Sequence, residues 1–483
     1  MEKGLYSFLQ MDPSESGLKK PYVHPYIPNS VPEVKEEMLK EVGARDADEL
    51  YSRMIPERLL LKRPMDLPEP LPSELDLRRH VEGLLNGDGD CSDYLSFLGG
   101  GCWNHYVPEV CDVIASRSEF LTAYAGGVYS DLGRFQAIYE FQSLIGELVD
   151  MDFSCIPTYD WGAAAGNAVR MASRVTGRKE ILVPRTISPA RLSIMSNFCD
   201  SAHKPDSIKI KSVDYDPETG ALDIGDLEDK ISERTAGVYF ENPTYLGVIE
   251  PRCEEISSIA HEHGALSVAG VDPISLGVLS PPGEYDADIS CGEVQPLGIH
   301  MLAGGGSCGF LASKDEERLA AEYPARMLSI TDTEVEGEYG FGQVRYERTS
   351  YMARESAKDW VGTTTGLWAI VAAVYMSLMG PEGMRELGEG VLLRAHYAAK
   401  ILDKIEGVSV PFRGFFKEFP VNFDATGAKV SDVNRGLLER RVFGGKDISI
   451  EFPELGQSGL YCFTEKHTKA DLTRLVAELR EVL

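Results

Sequence analysis

One stretch of this chain restricts its fold more than any other: an apolar run, an amphipathic helix and a second apolar run over residues 236–272. Residues 236–240 (AGVYF) read as a buried strand stopped by Glu241, Asn242 and Pro243. Pro251 suits the first turn of a helix whose stripe is Cys253, Ile256, Ile259 and Ala260, and Gly264 supplies its left-handed stop. Residues 265–271 (ALSVAGV) return as a second buried strand that ends at Asp272. Two buried strands joined by one helix form a right-handed crossover. Asn242 and Asp272 then share the carboxyl edge of parallel strands, where open α/β sheets collect ligands.

Short apolar runs at residues 181–183, 208–213, 287–290 and 309–312 extend the pattern, which predicts an α/β domain with a mainly parallel sheet over 76–380. Residues 1–75 alternate proline-rich pieces with one helix over 33–42, so they read as an arm without a core of its own. The most apolar stretch, 367–379, is shorter than the ~20 residues that span hydrocarbon and reads as a buried helix. A helix over 381–405, short strands near 408–410, 419–423 and 448–452, and a last helix over 469–482 suit a small α+β domain at 381–483.

Charge narrows the function. Lys plus Arg number 48 against 76 Asp plus Glu, a net charge of −28, which argues against nucleic acid and anionic membranes as partners. The nine cysteines form no C-x-x-C pair, so neither a disulfide framework nor a metal site is expected. The first residues carry no export signal, and the cytoplasm is the expected compartment.

Several segments resemble the amino-terminal, or α, subunit family of two-subunit glycine decarboxylase, the P-protein of the glycine cleavage system. They are YIPNS at 26–30, LLLKRPMDLP at 59–68, FLGGGCWNHYVP at 97–108, SRSEFLTAY at 116–124, FQAIYEFQSLIGELVDMD at 135–152, DPISLGVLSPPGEYDADISCGEVQPLG at 272–298 and AAVYMSLMGPEGM at 372–384. The resemblance implies the pyridoxal-phosphate-dependent transferase fold of the aspartate-aminotransferase type (fold type I), a large α/β domain followed by a small C-terminal one. It implies an α-type subunit of a heteromeric complex that decarboxylates glycine or a related amino acid and passes the aminomethyl fragment to a lipoyl carrier. The implied partner is a β subunit, in a heterodimer or α2β2 assembly, that carries the lysine holding pyridoxal 5'-phosphate.

Lysine gives the sharpest test. Such a cofactor is held as an aldimine by a lysine amine. In this fold type that lysine follows the strand after the aspartate that pairs with the pyridinium. The chain has no lysine between Lys230 and Lys314, and Gln295 and Pro296 stand at the place, so no Schiff base of its own is expected. A remote amine, Lys314 or Lys358, is the competing choice. By the resemblance, Trp103, Asn104, His105, Tyr124 and the loop 125–133 with Tyr129, Ser130 and Asp131 are candidates for a shared active site. Asp272 and Asn242 are relics of cofactor binding, and Gly304, Gly305 and Gly306 allow close approach of a phosphate or simply form a turn. After Tyr124 the chain reads AGGVYSDLG, and 357–362 reads AKDWVG with Lys358, Asp359 and Trp360, both departures from the family. They leave open a substrate other than glycine, or a non-catalytic scaffold.

Overall fold

The computed structural model describes residues 26, 31–60, 63, 66, 68, 71, 73–88, 91–121, 132–200, 206–301, 307–358 and 364–483. The chain forms two compact units, residues 1–88 and 89–483. The first carries α1 (Pro32–Glu41), α2 (Ala47–Met54) and α3 (Glu74–Leu85). Asp46 and Ser73 cap α2 and α3 by accepting the N–H groups of Glu49 and Asp76. None of the three helices has a buried residue, and Met54 and Leu84 are 71% and 63% exposed. The expected arm ended at residue 75, whereas this unit includes α3 and runs to Asp88.

The second unit is built on a seven-stranded sheet of β1 (Phe153–Ser154), β2 (Glu180–Pro184), β3 (Lys209–Val213), β4 (Thr235–Asn242), β5 (Leu266–Val271), β6 (Ile289–Glu293) and β7 (Gly309–Ser313), in the order β1-β7-β6-β5-β4-β2-β3. The pairings from β3 through β6 are parallel, and β7 and β1 close the edge antiparallel. Every residue of β4 and β5 is buried, which is why both read as unbroken apolar runs. Its helices longer than one turn are α4 (Glu109–Ala115), α5 (Phe135–Val149), α6 (Trp161–Thr176), α7 (Pro189–Cys199), α8 (Ile224–Lys230) and α9 (Cys253–Glu262), followed by α10 (Gly366–Leu402), α11 (Val430–Glu439) and α12 (Lys469–Val482). Asp160 caps α6 by accepting the Ala163 N–H at 2.6 Å. Gly166 lets α7 press against α6, because a Cβ there would sit 2.6 Å from the Phe198 ring.

A hairpin of β8 (Met327–Asp332) and β9 (Tyr339–Val344) leads toward α10. Helical stretches expected on either side of residue 380 form one element broken at Gly380 (φ 58°, ψ −179°), directly before Pro381. The C-terminal sheet is β10 (Glu418–Asn422), β11 (Lys446–Asp447) and β12 (Ser458–Cys462), in the order β10-β12-β11. It shares an aromatic core of Phe415, Phe419 and Phe463 with the end of α10, α11 and α12, and lies in the same compact unit as the large sheet.

Two expectations are corrected. Residues 408–410 make only an isolated bridge between Ser409 and Asn422. Residues 448–452 are no strand either: Ile448 and Phe452 are fully buried while Ile450 is 91% exposed, the spacing of a turn rather than of a pleat. Helix α5 buries Phe135, Ile138, Phe141, Ile145 and Val149 in the chain's own main core.

Candidate functional site

At the carboxyl edge of the sheet β5 ends beside Asp272 and β6 ends at Glu293, with Gln295 just beyond. The C-terminal sheet brings Lys417 to the same place, one residue before β10. Lys417 Nζ lies 2.6 Å from Asp272 Oδ2, and the two side chains are 3% and 5% exposed. The ammonium sits 3.5 Å from the centre of a Trp103 ring. It also lies 3.2 Å from His105 Nε2. An ammonium only donates, so Nε2 accepts and His105 carries its proton on Nδ1, which donates to Glu465 Oε2 at 2.8 Å. Asp272, Lys417, His105 and Glu465 therefore form one continuous chain of hydrogen bonds, buried at its first three members.

Gln295 occupies the place expected for the cofactor lysine and faces the same loop. Its side-chain oxygen accepts the Trp103 N–H at 3.0 Å, and its Nε2 donates to Trp103 O at 3.1 Å and Ile299 O at 2.9 Å. Pro296 follows it as a buried residue. Asn104 accepts from Thr464 Oγ1 through its carbonyl at 2.8 Å and from Lys466 Nζ through its side chain at 2.9 Å. Asn242 faces away from this cluster, toward the start of α9: its Oδ1 accepts the Glu250 N–H at 3.1 Å and its Nδ2 lies 3.4 Å from Cys253 Sγ.

Carboxylates already fill the start of α6. Glu293 accepts the N–H groups of Trp161 (3.1 Å), Gln295 (3.1 Å) and Cys308 (2.9 Å), and burial pushes its carboxyl up to about 7 against those bonds. Arg191 lies over the Trp161 ring at 3.5 Å and pairs with Glu241 at 3.1 Å. Tyr239 donates to the same carboxylate at 2.8 Å, while burial raises the Glu241 carboxyl. Glu418, raised by burial against the pull of Lys417, accepts the Gly100 N–H at 2.6 Å. The space left among Trp103, Trp161, Arg191, Tyr245, Asp272 and Lys417 is about 10 Å³, at or below one water molecule.

Of the candidates, the fold joins Trp103, Asn104, His105, Asp272 and Gln295 into this cluster. It does not bring in Lys358, which pairs with Glu322. Glu322 is held to Arg174 in the last turn of α6, about 20 Å along the helix from Trp161. Lys314 pairs with Asp286 and Asp288. Tyr124, Tyr129, Ser130, Asp131, Asp359, Trp360, Gly304, Gly305 and Gly306 lie outside the described residues. Sequence reasoning missed Lys417, Glu418, Glu465, Arg191 and Glu241. For the first two a signal existed, because FFKEFP sets two opposite charges side by side within an aromatic run, the mark of buried ion pairs.

Glu465 yields a pH prediction. Burial opposes its ionisation, but His105 and the Tyr106 N–H hold its carboxyl at about 2, against an ordinary 4.5. A carboxyl depressed by folding stabilises the fold fully above the unfolded value, and that contribution is lost as pH falls toward 2. Glu465→Gln should therefore lower stability by about 3 kcal/mol at pH 7, with the deficit shrinking between pH 4.5 and 2. Urea unfolding of both proteins at three pH values measures this, and a deficit independent of pH would count against the assignment.

Comparison with known proteins places the chain in a family. The family model of the glycine cleavage system P-protein matches residues 24–479. A relative from Staphylothermus marinus named "Probable glycine dehydrogenase (decarboxylating) subunit 1" is 38% identical over 469 residues, covering 95% of this chain and 98% of its own length. A crystal structure of glycine decarboxylase (P-protein) of the glycine cleavage system, in inhibitor-bound form, superposes with a TM-score of 0.81 at 33% identity, over 95% of this chain and all of the other. A sphingosine-1-phosphate lyase of Burkholderia pseudomallei shares the fold alone, with a TM-score of 0.64 at 13% identity over 89% of this chain and 94% of its own. The sheet order with its antiparallel edge is thus the pyridoxal-phosphate-dependent fold type I, and the matched span takes in both Asp272 and Gln295. By sequence and by fold, the chain is a member of the glycine cleavage system P-protein family.

Proposed function

We propose that this chain is the cofactor-free first subunit of a two-subunit glycine decarboxylase, paired with a companion chain that carries the pyridoxal phosphate lysine. Gln295 carries the reading: where an amine would have to stand, a carboxamide is tied on both sides to the backbone of Trp103. The name "subunit 1" borne by the Staphylothermus marinus relative supports a partner. Pyridoxal phosphate does not fit this chain's own cleft. Small-molecule sites measure hundreds of cubic ångströms, against about 10 Å³ here. A phosphate needs free N–H donors at a helix start, and the first turn of α6 already serves Asp160 and Glu293. Lys417 cannot serve as the missing amine. It is bonded to the carboxylate that would hold the ring nitrogen, whereas the cofactor's aldehyde lies on the opposite side of the ring.

In the complex this chain contributes its walls, and the companion contributes the reacting group. The exposed apolar side chains of the first unit, such as Met54 and Leu84, are candidates for a permanent interface of above about 2,000 Å². A lipoyl carrier receives the aminomethyl fragment in this reading. The experiment is co-expression with the companion. The pair should show the absorbance of a pyridoxal aldimine and this chain alone should not, and borohydride reduction should label a peptide of the companion only. A label on any lysine of this chain, Lys417 included, would overturn the assignment.

A further inference from the structure

A charged pair as buried as Asp272 and Lys417 is costly to assemble and persists only where each partner is satisfied. The geometry points to Lys417 as a built-in replacement for a cofactor ring nitrogen, a cation supplied by the chain itself that neutralises Asp272 and locks the loop of residues 99–106 into the cleft. The inference goes beyond the division of labour proposed above and concerns this chain's own contacts, whatever a companion carries.

Three observations support it. Asp272 stands at the end of β5, 4% exposed, in the position where the family's fold presents a carboxylate to a pyridinium, and here an ammonium meets it at 2.6 Å. That ammonium is placed as a ring cation would be, against an aromatic face, with Trp103 at 3.5 Å. The remaining contact goes to His105, so the cation grips two residues of one loop. Glu418 completes the clasp from the next position. It accepts the Gly100 N–H at 2.6 Å, and Gly99 passes so close that a Cβ would lie 2.1 Å from Glu418 Oε1. A relic site that had merely lost its ligand would leave Asp272 facing a cavity of the ligand's size. Here the space is closed, and the charge is balanced from within. Lys417 is thus a positioning residue for Trp103 and His105.

Chemical rescue tests this on the full chain, read as the thermal unfolding midpoint. Lys417→Ala should lower the midpoint by roughly 5 °C or more. Ethylammonium or pyridinium chloride should restore part of that loss, whereas sodium chloride at equal strength should not. Neither organic cation should shift the wild type, nor the double variant Lys417→Ala with Asp272→Asn, which lacks the charge to be neutralised. If the alanine variant does not fold, the uncharged pair Lys417→Met with Asp272→Asn decides: it should unfold within a few degrees of the wild type and far above Lys417→Met alone. Equal loss in that single and double variant would show that Lys417 acts by packing and overturn the proposal. So would a folded alanine variant that no organic cation rescues.

Discussion

Replacing Asp272 with alanine is expected to destabilise the chain by about 3–5 kcal/mol, the range for breaking a buried ion pair from one side. The loss exceeds that of an exposed pair because Lys417, with a side chain 3% exposed, cannot turn to water. His105 Nε2 at 3.2 Å and the face of Trp103 at 3.5 Å remain as uncharged neighbours, and the Glu418 carboxyl that also feels the ammonium is itself raised by burial and engaged by the Gly100 N–H. The Ile274 N–H, which donates to Asp272 Oδ1 at 3.1 Å, loses its acceptor in the same change. Urea unfolding followed by tryptophan fluorescence gives the number. A cost below about 1 kcal/mol, typical of surface pairs, would mean that the ammonium reaches solvent and that the buried chain of contacts is not intact.

Gly247→Ala should be comparably damaging for a different reason. Gly247 has φ +81°, and a Cβ there would lie 1.8 Å from the carbonyl oxygen of Glu418 and 2.4 Å from its carbon, so backbone and not a pliable side chain has to yield. The Phe416 N–H donates to Gly247 O at 3.0 Å, which ties this turn to the segment presenting Lys417. Forcing the two apart breaks that bond and pulls the cation from Asp272, for an expected cost above about 3 kcal/mol. Gly427→Ala provides the control, since Gly427 has φ +74° with nothing within 4 Å of its Cβ position. That variant should lose only the strain of about 1 kcal/mol that a left-handed alanine carries. Equal losses in the two proteins would show that conformation, rather than the close approach to Glu418, sets the cost.

Local pattern carried far in this chain. The run over residues 236–272 predicts β4, α9 and β5 because each is a continuous element whose burial is written in consecutive or helically spaced residues. The last helix is legible to its ends: Thr468 and Asp471 form a reciprocal cap, and the apolar positions Leu472, Leu475 and Leu479 keep the helical period. The same logic fails at 448–452, which reads as a short strand and is a turn that buries Ile448 and Phe452. The two helical stretches on either side of residue 380 were legible as well, because a proline cannot continue a helix, and the chain breaks at Gly380, directly before Pro381.

The site divides in the same way. The placement of Asn242 and Asp272 at strand ends was legible in the residues in order, and Gln295 stands where the resemblance led a lysine to be expected. What Gln295 and Asp272 do instead was decided by partners brought from elsewhere: Trp103 across 192 positions, Lys417 from the C-terminal sheet, and Glu465 to His105 across 360. The sequence alone determined the sheet and its crossover, because local periodicity is enough for these. Only the tertiary structure decided that the cleft is filled and its charge balanced from within, because a buried carboxylate acquires its counter-charge from whichever segment packing brings within hydrogen-bonding distance.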